Sequence, residues 1–308
     1  MNTDHRILVK SELPAIGANF DSTAFSKTFN NSTLIVNAHA SNVTYPTHWG
    51  ALSIKCAFNG VEHYHLNGFS YSVSRSAFLI LNNGTRRSSH IDKEAESFTI
   101  SIAPELEREV FSALTRTHLR NLDDPFSHPA QPFRFREQLY PFHGNPLTQL
   151  LAGLRNELND LDQPELLNRI LTLLETGYNH QQLLSNEIRS MYYSREKTKV
   201  ELYRRLTMAR DYIIGNYKEN LTLGQIAGVA CLNTFYFLRE FRKLFKTTPH
   251  KFLQQIRLNE ARYLLHTTGM PVCDVCHEVG FEDVASFSKL YKRKYKFNPS
   301  ERTTPKDQ

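Results

Sequence analysis

Cysteine is scarce in this chain, with four among 308 residues. That excludes a disulfide framework for a protein of this length. Cys56 stands alone in the first half; Cys231, Cys273 and Cys276 lie in the second. Long apolar runs are also missing. No stretch of about 18 apolar residues occurs, so no transmembrane helix is expected. The start, MNTDHRILVKSELP, has no apolar core of the kind a secretory signal needs, and the cytoplasm is the expected location. No phosphate-cradling glycine loop and no nucleophile–base motif is visible, which argues against an enzyme. What is present is ordinary for a folded protein: 40% hydrophobic and 22% charged residues.

The net charge of +6 is unevenly spread. Residues 199–308 hold 19 Lys and Arg against 11 Asp and Glu, and residues 1–198 are close to neutral. A basic C-terminal third on a near-neutral remainder points to a polyanionic partner for that third alone.

Residues 48–102 read as a β domain. Three Asn-Gly pairs, at 59–60, 67–68 and 83–84, are read as tight hairpin turns, since both turn positions need φ > 0. Phe69, Tyr71 and Val73, and then Phe98, Ile100 and Ile102, alternate with polar residues. Such alternation buries one face and leaves the other wet or lining a cavity. Pro104 opens a predicted helix, ELEREVFSALTRTHL. Residues 123–146 carry five prolines and read as an ordered crossing loop, because four Phe and a Tyr are costly to expose. Asn145-Pro146 is read as an N-cap with Pro at the first helical position. A Leu-rich helix follows. A second, starting at Gln163-Pro164, is expected to break near Gly177. These helices either pack on their own β domain or pair with another subunit, and the sequence leaves both open. The expected organisation is a β domain over 1–120, a helical bracing or dimerisation region over 121–198 and a DNA-binding domain over 199–303.

The basic third is the most informative. After a helix at about 199–217, Thr222 and Gln225 form a T-x-x-Q capping box at the start of a short helix. A tight turn at Cys231-Leu232 and an N-cap at Asn233 lead into TFYFLREFRKLFK, a basic amphipathic helix. Short helix, turn and second helix make a helix-turn-helix. The plan recurs about fifty residues on. Pro271 is taken as the first helical residue of PVCDVCHEV, Gly280 ends that helix, and Asp283 caps VASFSKLYKRKYK. Between the units HKFLQQIRLNEARYLLHTTG forms a strut. Its length, about 25–30 Å, suits two recognition helices placed roughly one DNA turn apart.

Residues 206–301 resemble the DNA-binding domain of the AraC/XylS family of bacterial transcription regulators. The resemblance rests on TLGQIAGVACLN, on R-L-x-x-A-x-x-L-L in the strut, on V-G-F before the second recognition helix and on the final N-P-S. Lys246 and Lys296 stand where the family often has Gly, Cys231 occupies a turn position that is often Gly, and Thr303 replaces the usual closing Arg. The resemblance implies an α+β two-domain protein. Its N-terminal part would be a cupin-like β sensor domain with a helical region, its C-terminal part an all-α double helix-turn-helix. It implies a regulator, most members being activators, that partners double-stranded DNA and RNA polymerase, with a small-molecule effector and a homodimer as further features of the family. No effector-binding residue is assigned, and no cofactor or metal is expected.

By position, the family's base contacts fall on Phe235, Leu238 and Arg239, and on Val284, Ala285, Ser288 and Lys289. Helical geometry independently turns Phe237, Phe241, Leu244 and Phe245 inward in the first unit, and Phe287, Leu290 and Tyr291 in the second. Arg239 is suited to guanine, and Phe235, Leu238, Val284 and Ala285 to thymine methyls. Arg242, Lys243, Lys292 and Arg293 suit phosphates. Cys273-x-x-Cys276 reads as two helix residues one turn apart rather than half a zinc site. His63-Tyr64-His65 resembles the H-x-H of metal cupins, but the glutamate that should follow is missing. The competing functions are a metal-cupin enzyme with a DNA-binding appendage and a purely architectural DNA binder.

Overall fold

The computed structural model describes residues 5–15, 21–23, 26, 32–115, 133–191 and 195–301. The chain divides into two units, Met1–Tyr193 and Ser194–Gln308. Among the described residues no helix is long and apolar enough to cross a membrane.

Among its described residues the N-terminal unit has ten strands: β1 (Ile7–Lys10), β2 (Thr33–Ala40), β3 (Val43–Gly50), β4 (Leu52–Asn59), β5 (Val61–Leu66), β6 (Phe69–Ser74), β7 (Ala77–Leu81), β8 (Thr85–Ile91), β9 (Ala95–Ile102) and β10 (Leu139–Pro141). They pair in the order β1-β2-β9-β4-β7-β6-β5-β8-β3, with β10 beside β7. The sheet curls into a cupin-like half-barrel. Strand parity decides what each face meets. On β9, Phe98, Ile100 and Ile102 enter the core, while Ser97, Thr99 and Ser101 line an interior cavity. The polar face of that strand is therefore buried too, and all eight of its residues are inaccessible. On β6, between β7 and β5, Phe69 is exposed, so the β6 alternation does not carry core residues along its whole length.

Only one of the three Asn-Gly pairs makes a hairpin. Asn67 (φ 53°) and Gly68 (φ 79°) are both left-handed, and they join β5 to β6 with Leu66 opposite Phe69. At 59–60 and 83–84 only the glycine has positive φ. The flanking strands there pair elsewhere: β4 with β7 and β9, β8 with β3 and β5. These two turns carry the chain from one part of the curled sheet to another. A primed hairpin turn needs both residues left-handed, and the dipeptide alone does not report that.

Among the described residues this unit has three long helices: α1 (Pro104–Thr115), α2 (Leu147–Glu157) and α3 (Gln163–Arg189). Leu147, Leu151 and Leu154 of α2 and Leu166, Ile170 and Leu174 of α3 join Ile54, Phe98 and Ile100 in one core. The Leu-rich helices thus pack on their own sheet. Burying a Leu contributes about 1.5–3 kcal/mol, so this stripe anchors both helices. Arg155 of α2 grips Glu96 of β9 with two hydrogen bonds of 2.7 Å. Pro146 lies one residue before the first helical residue, and Asn145 Oδ1 accepts the Leu147 N–H. Helix α3 starts with an Asp162–Glu165 capping box and runs unbroken through Gly177. Gly177 is a contact point rather than a breaker: a Cβ there would approach the Phe135 ring to 3.3 Å. Packing on both sides offsets the ~1 kcal/mol that a helical Gly costs. Of the proline-rich segment, residues 133–146 are described. Phe135, Tyr140 and Phe142 are buried, and Asn82 pins Phe135 through both its N–H and C=O. Residues 116–132 lie outside the described residues, as does Thr303.

The C-terminal unit is all helix: α4 (Glu196–Gly215), α5 (Leu223–Val229), α6 (Thr234–Phe245), α7 (Pro249–Thr267), α8 (Val272–Glu278) and α9 (Val284–Tyr295). At 19 residues α7 is about 28 Å long. Arg257 on it donates to the carbonyls of Tyr217 and Glu219 and stacks on Phe281. It thereby joins the loop after α4 to the second helix-turn-helix.

Candidate nucleic-acid interface

Each helix-turn-helix is assembled by local rules. Thr222 and Gln225 close the capping box on α5. Asn233 accepts the Tyr236 N–H at 2.9 Å and starts α6. Asp283 accepts from Ala285 and Ser286 and starts α9. Pro271 is the flanking residue of α8 rather than its first helical one, with extended ψ of 152°. Lys246 (φ 55°) and Lys296 (φ 73°) are both left-handed helix stops, which is why glycine suits these two places.

The predicted inward stripe forms. Phe237 and Phe241 are fully buried and in ring contact, and Phe241 also meets Phe245 and Phe252. In the second unit Phe287 and Tyr291 are fully buried, with Leu290 half-buried beside them. Outward, Phe235 is 90% exposed, an unusual state for so large an apolar side chain. Arg239, Arg242 and Lys243 are exposed on the same helix, and Leu238 is half-buried. On α9, Ala285, Lys289, Lys292 and Arg293 are exposed, while Val284 and Ser288 are half-buried. Lys294 turns away from this face: its Nζ contacts Gln255 O at 3.2 Å and also the Asn259 side chain.

One residue of this site was missed from the sequence. Glu240 sits between two basic residues in an exposed-looking run, yet it is 2% exposed. Its carboxylate accepts from Arg239 Nε at 2.7 Å and from Lys243 Nζ at 3.4 Å. The Arg239 guanidinium also lies 5.0 Å from the Tyr236 ring centre. Arg239 is thus held in place before any ligand arrives. An i, i+3 spacing to Lys243 was the available signal.

The weaker candidates separate cleanly. Cys273 is exposed and Cys276 buried, so the two thiols do not face one site. His63 and His65 sit on the outer face of β5, beside His90 of β8. Ligand atoms of His63, His90 and Asp92 lie within 4.8 Å of one another.

Inside the half-barrel, Tyr45, Glu62, Tyr64 and Arg87 face Lys55 and Thr99 across the cavity. Burial lowers His48 to about 4, leaving it neutral at pH 7. Burial, then the neighbouring Arg87 charge, lowers Lys55 to about 7; burial lowers Arg87 to about 10.

Residues 226–303 match a family model described as a helix-turn-helix domain. The chain is 31% identical over 90 residues to YdiP of Escherichia coli K12, an uncharacterised HTH-type transcriptional regulator, covering 29% of this chain and 30% of that protein. It is 24% identical over 151 residues to the HTH-type transcriptional activator RhaS of Citrobacter koseri, covering 49% and 51%. A solved AraC-type transcriptional regulator from Chromobacterium violaceum is 28% identical with a TM-score of 0.31, over 32% of this chain and 88% of that one. The matched stretches thus span about a third to a half of the curated relatives' length. Residues 226–303 of the C-terminal unit are a helix-turn-helix domain, similar in sequence to part of these transcriptional regulators.

Proposed function

We propose that this chain is a sequence-specific DNA-binding transcription regulator, an activator, whose half-barrel takes a small-molecule effector. The observation that carries the reading is Phe235. A phenylalanine exposed on a helix whose core stripe is already filled by Phe237 and Phe241 has no structural task, and next to Arg239 it fits a base edge. Phe235, Leu238 and Arg239 would read one major groove, and Val284, Ala285, Ser288 and Lys289 the next. Arg242, Lys243, Lys292 and Arg293 would hold phosphates. Activation is carried over from the name of a relative, with RNA polymerase as the partner it implies. A homodimer is the usual way to double such a site.

Genome-wide footprinting of the full chain, followed by binding to the recovered site and to random DNA at physiological salt, tests this. Specific affinity at least about a thousandfold above random is expected. Equal affinity would make the protein an architectural binder. Replacing thymine by uracil in the first half-site should weaken binding; no effect at any thymine would remove Phe235 and Leu238 from the interface. Stoichiometric iron or zinc lost in a His63→Ala/His65→Ala variant would favour the metal-cupin enzyme instead.

A further inference from the structure

The half-barrel interior holds more positive than negative charge. Arg87 is 4% exposed, and among the described residues its Nε and Nη1 have no hydrogen-bond partner. Its Nη2 reaches only the Ala51 carbonyl, at 3.5 Å. Lys55 Nζ reaches Thr99 Oγ1 at 3.4 Å and lies 5.8 Å from the Tyr64 ring centre. Among the described residues no carboxylate forms an ion pair with either cation. Glu62, the carboxylate in the cavity wall, accepts from Ser97 at 2.9 Å and interacts with Tyr64; it acts on Lys55 only through space, as Glu137 does on Arg87. A buried guanidinium with open donors is unfavourable, because those N–H groups lose their hydrogen bonds to water and gain none in return. Such a group is retained where something charged completes it.

The cavity is shaped for that completion. Gly50 lies against the guanidinium: a Cβ on it would sit 1.8 Å from Arg87 Nη2, so only glycine leaves Arg87 its position. The remaining wall is mixed: Leu13, Pro14 and Val36 give it apolar surface, and a set of hydroxyls interrupts that surface. Ser89, Ser97, Thr99 and Ser101 line it with the two tyrosines, Tyr45 and Tyr64. The space open to the centre of a water molecule is about 50 Å³, which admits a ligand of a few heavy atoms and not a long chain. Guanidinium plus ammonium selects a carboxylate; a ladder of hydroxyls selects hydroxyl groups on the rest of the molecule.

We propose that the half-barrel binds a small hydroxylated carboxylic acid, with its carboxylate held between Arg87 and Lys55 and its hydroxyls on the β9 serine–threonine ladder. This rests on reading the N-terminal unit as the effector-holding part, and it names the effector's chemical class.

The test uses the full chain in chloride buffer with lactate and glycerate, each against its neutral amide, and with inorganic phosphate. Saturating acid should raise the melting temperature by roughly 5 °C, with the amides inert. Arg87→Met should cost the acid at least about tenfold in affinity. The same variant should melt higher than the parent without ligand, because it removes a buried guanidinium with open donors. Gly50→Ala should lose the acid in the same way by displacing Arg87. Equal shifts from acid and amide, or a response to phosphate alone, would overturn the proposal. So would an Arg87→Met protein that melts lower while still binding the acid. DNA affinity is measured alongside. Acid binding with no specific DNA binding would sink the regulator reading and leave the anion site standing. Specific DNA binding with no acid response would do the reverse.

Discussion

The two helix-turn-helix units share a backbone and differ in the faces they present. Helices α6 and α9 lie fifty residues apart in register, both twelve residues long, and both end at a left-handed lysine. Phe237 matches Phe287, Phe241 matches Tyr291, and Pro249 matches Pro299. Outward the correspondence fails. Phe235 stands against Ala285, Leu238 against Ser288 and Arg239 against Lys289. The inward stripe is constrained by packing, where each lost methylene is felt, so it repeats. The outward stripe answers to whatever it meets, so it diverges. On the proposed reading the first unit reads methyls and one guanine from a rigid frame. The second offers smaller, more mobile groups.

The largest way to break this symmetry is at the turns. Gly280 has φ +91°, and a Cβ on it would meet the Lys218 carbonyl at 2.5 Å. Gly280→Ala should cost about 2–4 kcal/mol, measured by denaturant unfolding of the full chain, since both backbone strain and a clash are added. Next come the reading faces. Arg239→Ala should lose about 1–3 kcal/mol at the cognate site with relaxed choice at one base, measured by competition binding. An equal loss on all sequences would make Arg239 a phosphate contact. Phe235→Ala should lose a comparable amount with an unchanged melting temperature, whereas Ala285→Gly at the matched position should barely alter affinity. Glu240→Gln should loosen the hold on Arg239 and cost about 0.5–1.5 kcal/mol of binding at the same base. A loss spread over all bases would show that Glu240 only supports the fold. The smallest effect belongs to Cys231→Gly. Cys231 holds φ 51° without a glycine's freedom, so the substitution should stabilise the first unit by up to about 1 kcal/mol. A loss would mean that the thiol makes a contact worth more than the strain.

Much of the C-terminal unit was legible before any coordinates. Caps at Thr222, Asn233 and Asp283 are read from residues three apart, and the inward stripes from residues four apart. Such short-range signals survive in a sequence because helices are local. Gly177 misled because propensity is a weak prior that packing against Phe135 overrides. The Asn-Gly pairs misled because strand pairing is non-local: the dipeptide marks a turn but not which strands it joins.

The sequence by itself determined the helix-turn-helix pair, its inward faces and its exposed phenylalanine, since each depends on spacing within one helix. It also determined that β9 would be two-faced. Only the tertiary structure decided what the second face of β9 would meet. Lys55, Glu62, Arg87 and Thr99 come from four different strands, β4, β5, β8 and β9, and nothing in their spacing announces a shared interior. The curl of the sheet brings them around one cavity. Burial there turns an ordinary arginine into one with two donors, Nε and Nη1, that have no hydrogen-bond partner among the described residues.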